Sequence, residues 1–206
     1  MEYGEKFNTL THFAGAVLAL AGTVVLIVLG ALGGDAWKIV SFAIYGTTLV
    51  LLYSFSTLYH NAAHGKMKVF LQKLDHNAIY LLIAGSYTPF SLVSLRGGWG
   101  WSLFGVVWGL ALLGMLQETF FAQKSRRLSL LIYVIMGWVA IIALIPLVKV
   151  LSLAGFAWVA AGGLTYTFGI IFYLNDGKFK HWHGIWHLFV LAGSVLHYCA
   201  ILLYVA

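Results

Sequence analysis

The chain has 206 residues, of which 62% are apolar and only 9% charged, with a formal net charge of +6. Water-soluble domains carry about a quarter charged residues, so this composition excludes an ordinary soluble domain and marks a membrane protein. The basic excess does not indicate nucleic acid, because in a membrane protein basic residues first report orientation.

Seven apolar runs follow in order, at Leu10–Leu29, Ala36–Tyr59, Ala78–Leu95, Gly100–Leu116, Leu128–Val148, Leu151–Leu174 and Ile185–Tyr204. Each is long enough to cross ~30 Å of hydrocarbon as a helix. The expected fold is therefore all-α, a single seven-helix transmembrane domain over residues 1–206. The split at Lys149 between the fifth and sixth runs rests on that one charge, Pro146 and Gly155, so six helices is the rival count. The first run is longer than the apolar core of a signal peptide and lacks a small-x-small cleavage site, so it is expected to remain in the mature protein.

With seven crossings, nine basic residues fall on one side: Lys6, Lys66, Lys68, Lys73, Lys124, Arg126, Arg127, Lys178 and Lys180. The other side has Lys38, Arg96 and Lys149. The asymmetry predicts a cytoplasmic N-terminus and an external C-terminus.

Glu5, Asn8 and His12 form a stripe on the first helix. Glu5 and Asn8 read as a solvated helix start, whereas His12 should already lie at the membrane boundary. The second helix ends in Ser56-x-x-x-His60, both on one face, and the basic loop after it reads as an anchor for anionic headgroups. The third helix is expected to open with Lys73-Leu-Asp75-His76. An acidic side chain entering a membrane needs a partner, and Asp75 would have one as an N-cap. Farther along, Pro89 should kink the helix and open space beneath Asp75. Gln117 and Glu118 end the fourth helix. Trp99, Trp101 and Trp158 read as interfacial belt residues, and Gly162, Gly163 and Gly169 as a narrow face for close packing. Cys199 is a lone apolar filler.

The last run opens with His181-Trp-His183-Gly-Ile-Trp-His187. On a helix His183 and His187 lie one turn apart on one face, able to share a metal ion or to serve as polar tips at the interface. No glutamate lies between them, so this is not the H-E-x-x-H protease signature. Four helix ends now converge, bringing His12, Ser56 with His60, Asp75, and His183 with His187 to one boundary. Three histidines without cysteine suit an open zinc site with water in the fourth position. Asp75 is the candidate to hold that water or take its proton, and Ser56 to bond substrate or water. His197 lies about 15 Å deeper than His187 at 1.5 Å per residue and reads as a hydrogen-bonded core histidine.

These motifs, Glu5-x-x-Asn8-x-x-x-His12, Ser56-x-x-x-His60, the stretch from Lys73 through Asp75 to Pro89, and His183-x-x-x-His187, resemble the bacterial hemolysin III proteins of the progestin and adipoQ receptor family. The resemblance covers the whole chain. It implies a seven-helix membrane fold with a cytoplasmic N-terminus, related at its motifs to alkaline ceramidases. It also implies zinc held by His60, His183 and His187, with Asp75 holding the zinc-bound water and Ser56 lining the site. A zinc-dependent hydrolase of lipid amides or esters is the first functional expectation, its partners being membrane lipids and a lipid substrate, with no nucleic acid.

The second expectation is a sensor or regulator of membrane state, whose structural zinc would be closed by a fourth ligand, His12 or His76. The third is the cytolytic role that the family name implies. A channel should carry a polar stripe along several helices, and the sequence places its polarity at one end. A retinal protein is excluded by the absence of lysine from the last helix, and a G-protein-coupled receptor is disfavoured by the inverted orientation.

Overall fold

The structure, a computed structural model, describes residues 4–121 and 126–206. Its helices, in chain order, are α1 (Glu5–Leu32), α2 (Ala36–Asn61), α3 (Lys66–Pro89), α4 (Gly98–Phe121), α5 (Arg126–Trp138), α6 (Leu144–Leu174) and α7 (Trp182–Tyr204). No strand occurs among the described residues. Five stretches are long and apolar enough to cross a bilayer: α1, α2, α4, the span Arg127–Leu174 and α7. α3 falls short because Lys73, Asp75, His76 and Asn77 dilute its apolar side chains. Lys124, one of the basic residues behind the expected orientation, lies outside the described residues.

Hydroxyls that would be stranded in an apolar setting bond back to their own helix. In α1, Thr9, Thr11 and Thr23 donate to the carbonyls of Glu5, Phe7 and Asn8, and Ala19. The Gly33-Gly34 turn ends α1, and Asp35 caps α2 by accepting from the Trp37 and Lys38 amides. α3 then starts at Lys66 rather than Lys73, so Asp75 lies well inside a helix and is not its N-cap. The early start is invisible to a search for apolar runs, because the first turns of α3 lie on the polar side of the boundary.

Pro89 closes α3 and a π-helical turn, Phe90–Ser94, follows it. The distortion expected at the proline is thus displaced to the next turn, where the Leu95 amide bonds to the Phe90 carbonyl. Between α5 and α6 a 3₁₀ turn spans Val139–Ala143, and Ser152 inside α6 has φ 61° and ψ 169°. The 48-residue stretch Arg127–Leu174 would measure about 70 Å as one straight helix, and these two breaks interrupt it. The second lies three residues from Lys149, where the sequence placed its divide.

α1 packs on α2, α2 on α3, α3 on α4, and α6 on α7, while α7 closes against α1. Close approach depends on glycine where the sequence placed it. A Cβ at Gly162 would stand 2.2 Å from the His197 ring, which is how α6 admits that histidine. His197 donates from Nε2 to the Val159 carbonyl at 3.1 Å, the bonded core histidine expected. Trp99 and Trp101 are exposed as belt residues should be, whereas Trp158 packs partly buried on the core.

Gly100 meets backbone instead of a side chain: its Cβ would stand 2.1 Å from the Ser91 carbonyl oxygen and 2.8 Å from that of Leu95. Both are backbone atoms, so relieving either contact requires a shift of the chain itself rather than of a flexible side chain. Gly100→Ala should therefore cost about 1–3 kcal/mol and lower Tm, while Gly105→Ala, with open space around it, should not. Equal melting temperatures for the two variants would refute this packing.

Polarity is not confined to one end, contrary to the sequence expectation. Ser41, Tyr45, Thr48, Ser56 and His60 are all buried along α2. The 19 residues from Ser41 to His60 span about 28 Å at 1.5 Å per residue. Ser41 Oγ, Tyr45 Oη, Ser56 Oγ and His60 Nε2 have no hydrogen-bond partner.

Candidate metal centre

Histidine spacing does the first part of the work. One turn of α7 separates His183 from His187, and their ring centroids are 4.8 Å apart. The last turn of α2 brings His60 to 5.0 Å from His183 and 4.8 Å from His187. One nitrogen from each of the three lies within 4.8 Å of the others, the only such group of three among the described residues. His60 and His187 are buried and His183 is half-buried.

Each of the three imidazoles is oriented through Nδ1. His60 Nδ1 lies 2.5 Å from Glu5 Oε2, and the other Glu5 oxygen accepts from Lys68 Nζ at 3.0 Å. His183 Nδ1 lies 2.8 Å from Asp176 Oδ2. His187 Nδ1 lies 3.3 Å from the Asn8 carbonyl oxygen. Carboxylate and carbonyl oxygens only accept, so at His60 and His183 these contacts place the proton on Nδ1 and leave Nε2 as the lone-pair nitrogen; at His187 the Thr11 hydroxyl shares Nδ1 with the Asn8 carbonyl, both at 3.3 Å. Carboxylate or carbonyl behind a histidine is the usual outer arrangement of a metal site, fixing tautomer and ring direction.

This corrects two sequence readings. Glu5 and Asn8 are not a solvated helix start but the outer supports of His60 and His187. Lys68 is not a free headgroup anchor, since it is ion-paired to Glu5. Asp176 was missed altogether, because in Asn175-Asp176-Gly177 it looks like ordinary turn chemistry.

The residues fit a metal ion. His60 Nε2 is fully buried without a partner, and an unsatisfied buried group costs roughly 1–3 kcal/mol that coordination would remove. Asp75, 9% exposed, and Ser56, 1% exposed, face the same cavity as the three histidines. Asp75 is within electrostatic reach of His60 and His183. Ser56 Oγ lies beside the Asp75 carboxyl but makes no hydrogen bond of ordinary geometry. The cavity holds about 550 Å³, and its walls continue into Ile79, Leu82, Ile83, Val134, Ile170 and Trp186.

Neither spare imidazole joins the group. His76 Nδ1 lies 2.7 Å from Glu118 Oε1, and Ser129 donates to the other Glu118 oxygen at 2.5 Å. Glu118 is thus a buried partner of α3 and α5 rather than a simple helix terminus. His12 stacks on His187 at 3.6 Å between centroids and 9° between planes. His181, at the N-cap of α7 with φ 66°, also stands outside the trio.

The profile of the Haemolysin-III related family matches residues 3–198. Hemolysin-3 of Bacillus cereus is 44% identical over 201 residues, covering 98% of this chain and 91% of that protein. The Hemolysin-3 homolog of Bacillus subtilis (strain 168) is 46% identical over 200 residues, covering 97% and 93%. The human monocyte to macrophage differentiation factor is 30% identical over 207 residues, covering 97% and 83%. A match across nearly the whole length of both Bacillus proteins, on a helical chain rich in apolar spans, means that this membrane protein belongs to the Haemolysin-III related family.

Proposed function

We propose that the protein is a zinc-dependent hydrolase of lipid amides or esters, seated in the bacterial cell membrane with its histidine centre near the cytoplasmic face. The observation that carries the reading is the convergence of three Nδ1-anchored imidazoles with a buried carboxyl and a hydroxyl in one apolar-walled cavity. His60, His183 and His187 would hold the ion through Nε2. Zinc, when bound, supplies Lewis acidity and brings the pKa of a coordinated water towards 7.

The remaining work falls to the chain's own groups. Asp75, on α3, accepts a proton at its carboxylate. Ser56, whose hydroxyl lies beside that carboxyl, donates to the substrate carbonyl oxygen. Ile79, Leu82 and Ile83 hold an acyl chain and keep bulk water from the reacting bond. Glu5, Asp176 and the Asn8 carbonyl keep the three rings aimed during turnover.

The competing reading is a sensor in which the ion only fastens α2 to α7, with support from the Glu5 and Asp176 contacts that tie both helices to their surroundings. Purified protein assayed against a panel of lipid amides and esters, with zinc content measured on the same sample, separates the two. Hydrolysis that chelation abolishes and zinc restores is expected. Stoichiometric zinc with no turnover on any lipid would leave the sensor.

Seven crossings with a cytoplasmic N-terminus complete the proposal, supported by the nine-to-three basic asymmetry and by the breaks within Arg127–Leu174. Reporter fusions after Lys66, Lys124 and Lys178 should all read cytoplasmic, and an external reading at any of them would sink it.

A further inference from the structure

The end of the bundle opposite the histidines carries a second concavity. Among the described residues the basic side chains expected at this end are Lys38, Arg96 and Lys149, and two of them converge on it. A groove of about 350 Å³ runs between the start of α4 and the first turns of α6, lined by Arg96, Lys149, Trp99, Ile145, Pro146 and Val150 among others. No acidic residue lines it among the described residues.

The two cations differ in their commitments. Arg96 gives Nη2 to both Asp35 oxygens at 3.2–3.3 Å and lies over the Trp37 ring at 5.4 Å. Desolvation works against the charge on Asp35, but the Trp37 and Lys38 amides and Arg96 hold its carboxyl below the ordinary range, so that pair stays ionised. A guanidinium has five N–H donors, and this contact uses one nitrogen. Lys149 has no hydrogen-bond or ion-pair partner among the described residues. A net positive charge is therefore left on the groove.

The walls say what kind of anion belongs there. Trp99 is exposed on one side, as an interfacial tryptophan is. On the other, Ile145, Ile142 and Ile141 are exposed in succession and lead from the groove along the apolar surface. A free anion would gain nothing from those isoleucines. A phospholipid would place its phosphate between the cations and its acyl chain along the ramp.

We propose that the Arg96–Lys149 groove is a binding site for the headgroup phosphate of an anionic phospholipid, in the leaflet opposite the histidine centre. It is independent of whether the histidine site is an enzyme. A phosphatidylglycerol headgroup has the required net charge, whereas the choline of phosphatidylcholine cancels its own phosphate.

The test is native mass spectrometry of the full-length protein in micelles, titrated with phosphatidylglycerol, phosphatidylcholine or inorganic phosphate. A cation within direct reach of the headgroup phosphate contributes about a fivefold factor in affinity for anionic lipid. Lys149→Gln, which leaves the Arg96–Asp35 contact intact, should weaken phosphatidylglycerol binding about fivefold, and the Arg96→Gln, Lys149→Gln pair about 25-fold. Lys38→Gln, at the same end but outside the groove, should leave it unchanged. The result is read on variants whose Tm matches the parent, so Lys149→Gln suffices if the double variant does not fold. Equal retention of phosphatidylcholine would overturn the proposal, as would displacement of the lipid by inorganic phosphate at equal concentration. A Lys38→Gln loss as large as that of Lys149→Gln would replace the site with a diffuse surface potential.

Discussion

Zinc bound to the purified protein should fall from one ion per chain to a trace when His60, His183 or His187 is replaced by alanine. Three protein ligands are the minimum set of an open site, so losing one leaves two nitrogens and no preference for retaining the ion. The outer supports should show a graded effect. Glu5→Gln and Asp176→Asn keep size but replace the carboxylates at His60 and His183, and outer-shell changes of this kind weaken metal affinity about 10–100-fold. His181→Asn, which tolerates the left-handed backbone at that position, should leave zinc unchanged. Competition with a chelator of known affinity measures all six variants on one scale. Full zinc in a His183→Ala, His187→Ala double variant would remove the site from consideration, and unchanged affinity in both Glu5→Gln and Asp176→Asn would detach the anchoring contacts from metal binding.

Asp75→Asn should keep the metal and lose the reaction. The substitution preserves shape in a buried position but removes the carboxylate proposed to accept the proton, and general-base contributions run at about 10²–10⁴ in rate. Zinc content and Tm measured on the same preparation distinguish this from unfolding. If Asp75 were only a structural carboxyl, the variant would hydrolyse at the parental rate. If the ion were only a fastener between α2 and α7, His60→Ala would lower Tm while Asp75→Asn changed nothing.

The helical membrane class and the pairing of His183 with His187 were legible because both depend on local periodicity, whereas His60 joined them through its place at the same expected boundary and through the family resemblance. Apolar runs reveal themselves by length, and an i, i+4 pair is fixed by 3.6 residues per turn. Contacts between distant segments left weaker traces. Asp176 reaches His183 from a turn, and Glu118 reaches His76 from α4, and neither carries a spacing that announces its partner. Three of the acidic residues, Glu5, Glu118 and Asp176, each meet a histidine Nδ1. In a chain with six acids in all, that was a clue available from scarcity alone. The start of α3 was misplaced for another reason, since hydropathy registers the part of a helix that enters lipid and not the turns before it.

The buried polar face of α2 bears on how the protein is made. A nascent α2 leaving the translocation machinery by itself would present Ser41, Tyr45, Thr48, Ser56 and His60 to acyl chains, where polar groups are penalised. α1 carries few such groups and packs along α2, so the two helices should enter the bilayer together as a hairpin, with α3 added as a third shield. Chains that lack α1 should then be held back at the insertion site or cleared by quality-control proteases. The polar side chains buried along α2, His60 and Ser56 among them, would thereby also set the order in which the membrane accepts its helices.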